Sequence, residues 1–240
     1  NKNDIIFISN FKNFLFIFIA NTLFSLGFML YQVTFFWLAY EMTNSPFFAG
    51  LVILGSTMPY LVFGLLGGVY ADRWNRKKVV LWSTILTTLI ALIVPLLAWF
   101  NRLEIWHVSL TAFGIVSIRC FFYPTMRALI PQSLPEKLWP KGNAVFQIST
   151  QLMRGVGPAV GGFLIAQYSP VLMYVLFSIL AVSAFCLLLP IHLFIKRENA
   201  HSTSVMADIK DAFSFIKTRS NLFWTIVLFG VFLLFQTGRE

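Results

Sequence analysis

Long apolar runs separated by short polar segments dominate the chain. Each run has about twenty residues or more, the length that an α-helix needs to cross the hydrocarbon core of a membrane. Polar residues are scattered within the runs and do not alternate with apolar ones, as they would in a membrane β-barrel. The pattern therefore predicts an all-α polytopic membrane protein with six transmembrane helices. The predicted spans are residues 14–40, 47–70, 79–100, 105–128, 142–166 and 171–195.

The sequence changes character after residue 195. Residues 196–221 are polar and charged, and in their second half Met206, Ile209 and Phe213 recur at the spacing of an amphipathic surface helix. A further apolar run, 222–237, is shorter than the ~20 residues that cross a membrane. It is either a re-entrant segment or a seventh helix cut off by the end of the sequence, and we expect the second. The predicted domains are a six-helix bundle (1–195), a cytoplasmic linker (196–221) and the start of helix 7 (222–240).

The polar segments between the runs predict tight turns that hold consecutive helices antiparallel. Residues 1–13 are a polar lead, and residues 68–78 are a link with four cations and one carboxylate, which hydrocarbon cannot solvate. Pro46 suits the first position of a helix. The other predicted turns are 41–45, 101–104, 131–141 and 167–170. The second span also has glycines that predict close helix approach, at Gly50, Gly55, Gly64, Gly67 and Gly68.

Composition agrees with a membrane location. The chain is 58% hydrophobic and 11% charged, with a mean hydropathy of +0.78, which leaves too little polar surface for a soluble protein. Cys120 and Cys186 both fall in apolar runs and are interpreted as buried hydrophobic residues, not as a disulfide or a metal site. The three histidines are isolated, and there is no nucleophile or metal constellation. We therefore expect no enzyme activity, no cofactor and no metal.

Lysine and arginine placement predicts the orientation. The lead carries two of them, the link after span 2 four, the region after span 4 three and the region after span 6 five, whereas the opposite side has Arg102. Basic loops stay in the cytoplasm, so the N-terminus is predicted to be cytoplasmic. The net charge of +9 is therefore a topology signal, and we expect no nucleic-acid partner.

The link after span 2 carries a recognisable motif. Its pattern Gly-x-x-x-Asp-Arg-x-x-Arg-Lys resembles the signature loop of the major facilitator superfamily. The glycine usual three residues after the aspartate is replaced here by Asn75, which tolerates a positive φ better than other residues and could keep the turn. The motif residues are Gly68, Asp72, Arg73, Asn75, Arg76 and Lys77.

Span 5 carries a second motif, Gly-Pro-x-x-Gly-Gly. It resembles the core of the motif in the family's drug:proton antiporters, although Met153 stands where the longer motif has a small residue. Together with the segment around Arg127, it looks most like the macrolide-efflux and siderophore-exporter branch. An ordinary kinked packing helix is the alternative interpretation. The motif residues are Gly157, Pro158, Gly161 and Gly162.

The resemblance implies a multi-pass transporter of a bacterial plasma membrane that exports small molecules by alternating access, with the proton gradient as energy source. It also implies that the C-terminal half of the chain is missing and that Asp72 locks the outward-facing state against a helix N-terminus in that half. The substrates would be lipophilic drugs such as macrolides. The alternatives are a narrow-specificity metabolite or siderophore exporter of the same fold, and a truncated fragment without function.

Charged groups inside or near the spans are the coupling candidates. Arg119 resembles the span-4 arginine of another family motif, proposed to take part in proton transfer, although Tyr123 replaces the glycine expected four residues on. Arg154 lies one turn before Pro158, and Glu41 lies at the outer mouth. Both arginines could instead be structural, charge-paired residues. Spans 1–6 contain no acidic residue, and Phe28 stands where relatives often carry one.

Polar and aromatic residues of spans 1, 2, 4 and 5, Asn21 among them, are the candidates for a substrate wall. A large apolar and aromatic cavity would suit bulky amphipathic drugs. The candidate wall residues are Gln32, Tyr31, Tyr60, Gln147 and Gln151.

Overall fold

The computed structural model describes residues 2–191 and Leu228, and for residues 2–10, 65, 66 and 69–73 it describes the backbone alone. The chain divides into two compact units, Asn1–Lys196 and Arg197–Glu240. The predicted linker and seventh run lie outside the described residues, except for Leu228. The helices with described bounds all belong to the first unit.

Six α-helices and one short 3₁₀ turn make up the described part of this unit, which contains no strand. The helices are α1 (Lys2–Thr43), α2 (Pro46–Arg73), α3 (Arg76–Trp99), α4 (Ile105–Ser133), α5 (Trp139–Gln167) and α6 (Pro170–Leu188), and the 3₁₀ turn is Glu136–Leu138. The predicted all-α bundle is confirmed. Of these six, every helix but α5 is long and apolar enough to cross a membrane.

Several predicted boundaries were wrong: most errors shortened a helix, whereas span 6 was predicted to run to residue 195 and α6 ends at Leu188. The polar lead is helical from Lys2, α2 continues through the supposed link to Arg73, and α4 continues past Pro131 to Ser133. Hydropathy marks where hydrocarbon ends, but backbone hydrogen bonds can carry a helix on into the headgroup region. The link between α2 and α3 is therefore only Trp74 and Asn75.

The turns at the opposite ends of the helices follow the prediction more closely. α3 and α4 are separated by residues 100–104, and α5 and α6 by residues 168 and 169. Asn44 and Asn101 have positive φ (51° and 53°), the left-handed conformation that asparagine tolerates. Glu104 and His107 form a reciprocal capping box at the start of α4.

Helix α1 is the centre of the unit and packs against α6, α5, α4 and α2. Helix α2 packs mainly on α4, and α3 on α6 and α4, whereas α2 and α3 scarcely touch. The interface between α1 and α6 is aromatic: the ring of Tyr31 lies 5.4 Å from the rings of both Tyr174 and Phe177. Offset and edge-on aromatic pairs of this kind add stability beyond the area they bury.

Several polar residues inside the spans form hydrogen bonds locally or across helices. Thr34 and Thr84 donate to the carbonyl four residues before them, at 2.9 and 3.1 Å. Between α1 and α5, the hydroxyls of Thr22 and Ser149 are 2.6 Å apart. Because lipid offers no hydrogen-bond partners, such contacts fix which helix faces which.

The glycines of α2 do not act as one packing surface, which corrects the prediction. A Cβ at Gly67 would overlap the backbone carbonyl of Cys120 on α4, so this glycine does permit close approach. At the other four, a built Cβ has no heavy atom of the described residues within 4 Å, so these positions face open space within the described bundle. These four are Gly50, Gly55, Gly64 and Gly68.

Candidate transport cavity

A cavity of about 460 Å³ lies between α2, α4 and α5. Tyr60, Gly64 and Gly68 share one face of α2, because residues four apart lie one above the other on a helix. Two glycines on that face leave space in front of α4. The remaining lining residues are Arg119, Cys120, Tyr123, Pro124 and Arg154.

Arg119 enters the cavity from α4, where it is half-buried. Its guanidinium carbon lies 3.5 Å from the centroid of the Phe28 ring on α1, a close cation–π contact. Arg154 reaches the same cavity from α5 and is exposed. Both arginines therefore line the cavity, and none of the lining residues whose side chains are described is acidic.

The structure places the candidate wall residues in different environments. Tyr60 is 46% exposed and lines the cavity. Gln147 and Gln151 are exposed on α5, and Gln147 accepts a hydrogen bond from Arg127. Tyr31 is only 2% exposed and lies in the aromatic interface of α1 and α6, away from the cavity lining.

Gln32 and Glu41 complete the α1 candidates. Gln32 is half-buried and is not part of the cavity lining. Glu41 is exposed near the end of α1 and accepts a hydrogen bond from Trp37 Nε1 at 3.0 Å. The structure thus brings Arg119, Arg154 and Tyr60 together but leaves Glu41 at the helix end.

The junction between α2 and α3 ties three helices together. Arg76 donates from Nη1 to the carbonyl oxygen of Ala128 on α4 at 3.0 Å. Lys77 donates from Nζ to the carbonyl oxygen of Leu189, the C-cap of α6, at 2.6 Å. Cations suit helix C-termini, where carbonyls lack intrahelical partners. Asp72 belongs to the last turn of α2, where the structure describes the backbone of Asp72 and Arg73 alone.

Asn75 works differently from the prediction. Its φ is −65° and its ψ is 106°, so it does not use a left-handed turn. Instead it is the N-cap of α3, and its Oδ1 accepts a hydrogen bond from the backbone N–H of Lys78 at 3.2 Å. Asparagine is among the best N-cap residues because its short side chain satisfies an otherwise unpaired N–H group. The asparagine that replaces the usual glycine therefore caps the N-terminus of α3.

The three glycines of the helix 5 motif do not share the same surroundings. A Cβ at Gly157 would overlap Met29 on α1, and one at Gly161 would contact Leu30 at 3.5 Å. Pro158 is exposed, and Gly162 has no neighbour within 4 Å of a built Cβ. Gly157 and Gly161 therefore permit the close packing of α5 on α1, whereas Pro158 and Gly162 face away from it.

Sequence reasoning missed two features of this region. The partnership of Arg119 with Phe28 has no local signal, because the two residues lie on different helices. A second cavity of about 600 Å³, largely apolar, lies where α3 and α4 meet the α2–α3 link, and it includes Trp74, Lys78, Trp82 and Phe121. Among the described residues, no group of His, Cys, Asp and Glu could hold a metal ion.

Known proteins similar to this chain are bacterial transporters. The multidrug efflux pump Tap of Mycolicibacterium fortuitum is 30% identical over 140 residues, which is 56% of this chain and 34% of Tap. Macrolide efflux protein A of Streptococcus pyogenes is 30% identical over 125 residues, 52% of this chain and 31% of that protein. The uncharacterized MFS-type transporter YfiS of Bacillus subtilis (strain 168) is 28% identical over 228 residues, 90% of this chain and 52% of YfiS.

The matched region is thus a third to a half of the length of these relatives. The sequence model of the Major Facilitator Superfamily matches residues 17–238, which is most of the chain. That superfamily is a family of membrane transporters. The match covers most of the described helices and continues into the residues after them. The helical bundle and its apolar spans agree with it. The chain belongs to the Major Facilitator Superfamily.

Proposed function

We propose that the full-length protein exports lipophilic small molecules, with macrolide-like and other drugs as substrates, by alternating access. The observation that carries the proposal is the cavity between α2, α4 and α5, about 460 Å³ in volume. Ligand pockets are typically about 300–1,000 Å³ and combine apolar walls with a few polar groups. The printed names of two relatives, a multidrug efflux pump and a macrolide efflux protein, support the same substrate class.

A second helical bundle completes the cavity in this proposal. Gly64 and Gly68 line the cavity and have no neighbour within 4 Å of a built Cβ. Helix α2 therefore presents a bare face beside the two arginines. The C-terminal half of a longer chain would cover that face and rock against it, as the repeats of transporters do around a central site. The intact mass of the native polypeptide tests this: a value near 27.4 kDa would contradict the proposal, and about twice that value would support it.

The proposed orientation puts the basic ends of the helices in the cytoplasm. Arg76, Lys77 and Lys78 begin α3, Lys137 lies in the 3₁₀ turn before α5, and Lys141 lies in the first turn of α5. Arg102, in the turn between α3 and α4, is at the other end. This distribution supports a cytoplasmic N-terminus. Membrane-impermeant labelling of a cysteine introduced at Arg102 from outside intact cells is expected, and labelling only after lysis would reverse the orientation.

Asp72 is proposed as the gate residue. It lies at the end of α2, beside a junction that Arg76 and Lys77 hold against α4 and α6. A carboxylate at that place could bind the N-terminus of a helix from the second half, where free N–H groups favour negative charge. Arg73, together with the neighbouring cations, would contact lipid phosphates.

Drug accumulation in cells that produce the full-length protein tests the function and the gate together. The wild type is expected to lower the accumulation of several unrelated lipophilic drugs, including a macrolide. Asp72→Asn is expected to abolish this effect at an unchanged membrane level, while the matched variant Lys78→Gln retains it. Normal export by Asp72→Asn would remove the gate role, and export of a single metabolite alone would favour the narrow-specificity exporter.

Proton coupling is proposed as the energy source. Arg119, Arg154 and Glu41 are the candidates of this unit, and the described side chains include no carboxylate in the cavity lining. A coupling carboxylate from the second half would complete the set. Transport of a drug into proteoliposomes should follow an imposed pH gradient and stop when a protonophore collapses it. Transport that is indifferent to the gradient would exclude this coupling.

A further inference from the structure

Among the residues whose side chains the structure describes, the lining of this cavity includes two guanidinium groups and no carboxylate. Arg119 reaches it from α4 and Arg154 from α5. Arginine inside a membrane span is unfavourable unless it faces a partner or a water-filled cavity. The two arginines therefore face this cavity, whose described lining is positively charged.

The contact with Phe28 also orients one of these groups. A guanidinium stacked on an aromatic ring has one face covered, and its N–H donors point outward in the plane of the fork. Within the described part of the chain, Arg119 lies against the Phe28 ring, and its fork is not engaged by a carboxylate. The N–H donors of such a guanidinium match the bidentate geometry of a carboxylate or sulfonate.

The surroundings leave room for the rest of such a molecule. Gly64 and Gly68 have no side chain to fill the space opposite α4. Tyr60 and Tyr123 add aromatic surface and hydroxyl groups to the wall. The cavity therefore combines a positive end with an apolar, aromatic body.

We propose that the cavity binds organic anions: amphipathic molecules with a carboxylate or sulfonate that meets Arg119 and Arg154 and an aromatic or aliphatic body that packs beside Tyr60. This proposal rests on the proposed export function and adds amphipathic anions to its lipophilic substrates. The competing possibility is a carboxylate of the protein itself, supplied from elsewhere in the full-length chain, which would neutralise the arginines.

A matched pair of fluorescent probes separates these possibilities. 8-Anilino-1-naphthalenesulfonate and N-phenyl-1-naphthylamine have the same ring system and differ by the sulfonate. The full-length protein is titrated with each in lipid nanodiscs, with empty discs as blank. The wild type should bind the sulfonate about tenfold more tightly than the neutral amine, as expected for a charge-assisted hydrogen bond.

Variants test whether the arginines cause the preference. Arg119→Gln and Arg154→Gln should each weaken sulfonate binding about tenfold and change amine binding less than about twofold. Arg119→Lys should keep part of the preference, since a lysine retains the charge but not the fork. Arg102→Gln, at the other end of the bundle, is the matched control and should bind both probes like the wild type.

Three results would overturn the proposal: no preference for the sulfonate in the wild type, unchanged sulfonate binding in both glutamine variants, or equal weakening of both probes. The first result would favour the competing possibility, in which a carboxylate of the full-length chain neutralises the arginines. Export of the amine without the sulfonate would reject this proposal and leave the export function standing. A binding preference without export of either probe would reject the export function instead.

Discussion

The guanidinium carbon of Arg119 lies 3.5 Å from the centroid of the Phe28 ring, so a charge on α4 is held by a neutral ring on α1. Phe28 is the position at which the resemblance to other family members leads one to expect an acidic residue. The ring gives the cation a favourable face without neutralising it. The cavity consequently keeps a positive charge that an aspartate would have cancelled.

A double-mutant cycle of Phe28→Leu and Arg119→Gln measures this contact. Each single change should destabilise the full-length protein, and the double variant should be more stable than the sum predicts by about 1–2 kcal/mol, the value of a largely desolvated cation–π pair. Equilibrium unfolding in mixed detergent micelles gives the four free energies. Phe35→Leu paired with Arg119→Gln is the control and should show no coupling, because Phe35 stacks on Tyr31.

Substitutions at Asn75 test its function as a cap. Replacing it with alanine should cost about 1 kcal/mol of stability, replacing it with aspartate should be neutral, and replacing it with glycine should cost a few tenths. The physical reason is the hydrogen bond from the Lys78 N–H to Oδ1, which alanine cannot accept. The same unfolding assay reports it. Tolerance of alanine together with a penalty for aspartate would contradict the N-cap assignment.

The two glycine environments of α5 predict opposite responses to alanine. Gly157→Ala would force a methyl group into Met29 and should destabilise the full-length protein by about 1–3 kcal/mol. Gly162→Ala meets no atom of the described bundle and should leave stability the same or raise it by up to about 1 kcal/mol, since glycine is a poor helix former. Thermal unfolding followed by size-exclusion chromatography would show the difference. Equal effects at both sites would mean that α5 does not pack on α1 in this register.

Adjacent lysines at the start of α3 form another matched pair. Lys77 binds the C-cap carbonyl of α6 at 2.6 Å, whereas the Lys78 side chain is exposed. Lys77→Met should lower stability by up to about 1 kcal/mol, and Lys78→Met should have little effect. Because salt screens such interactions, the difference should shrink when unfolding is measured at high ionic strength. A difference that is independent of salt would assign the effect to packing of the lysine stem.

Sequence patterns predicted the number and order of the helices because hydrocarbon thickness dictates the length of each apolar run. They also placed the turn around Asn101 and the start of α2 at Pro46, where proline and polar residues leave little choice. They failed at Asp72 and Pro131, which lie within helices, because helices can extend beyond the hydrocarbon into the interface. Hydropathy alone carries no information about those ends.

The sequence could not predict which face of each helix meets a neighbouring helix, and the reason is different. Tyr31 was expected in the cavity and lies among the rings of α1 and α6, while Gly64 was expected in a helix contact and faces open space. In a membrane both the neighbouring helix and the lipid are apolar, so an apolar side chain does not reveal which of them it meets. The charged Arg119 and Arg154 were placed more securely, because a charge must avoid lipid.

The modest apolarity of α5 has a consequence for how the protein is made. A segment that hydrocarbon does not strongly attract is expected to enter the bilayer late and with assistance. Helix α1 is synthesised earlier and presents Thr22 to Ser149 of α5 and Asn21 to Thr150. The polar side chains of α1 that bind α5 would thus be in place before α5 leaves the ribosome. Shortening or repacking α1 should therefore first cause incorrect membrane insertion of α5, before any loss of transport is measured.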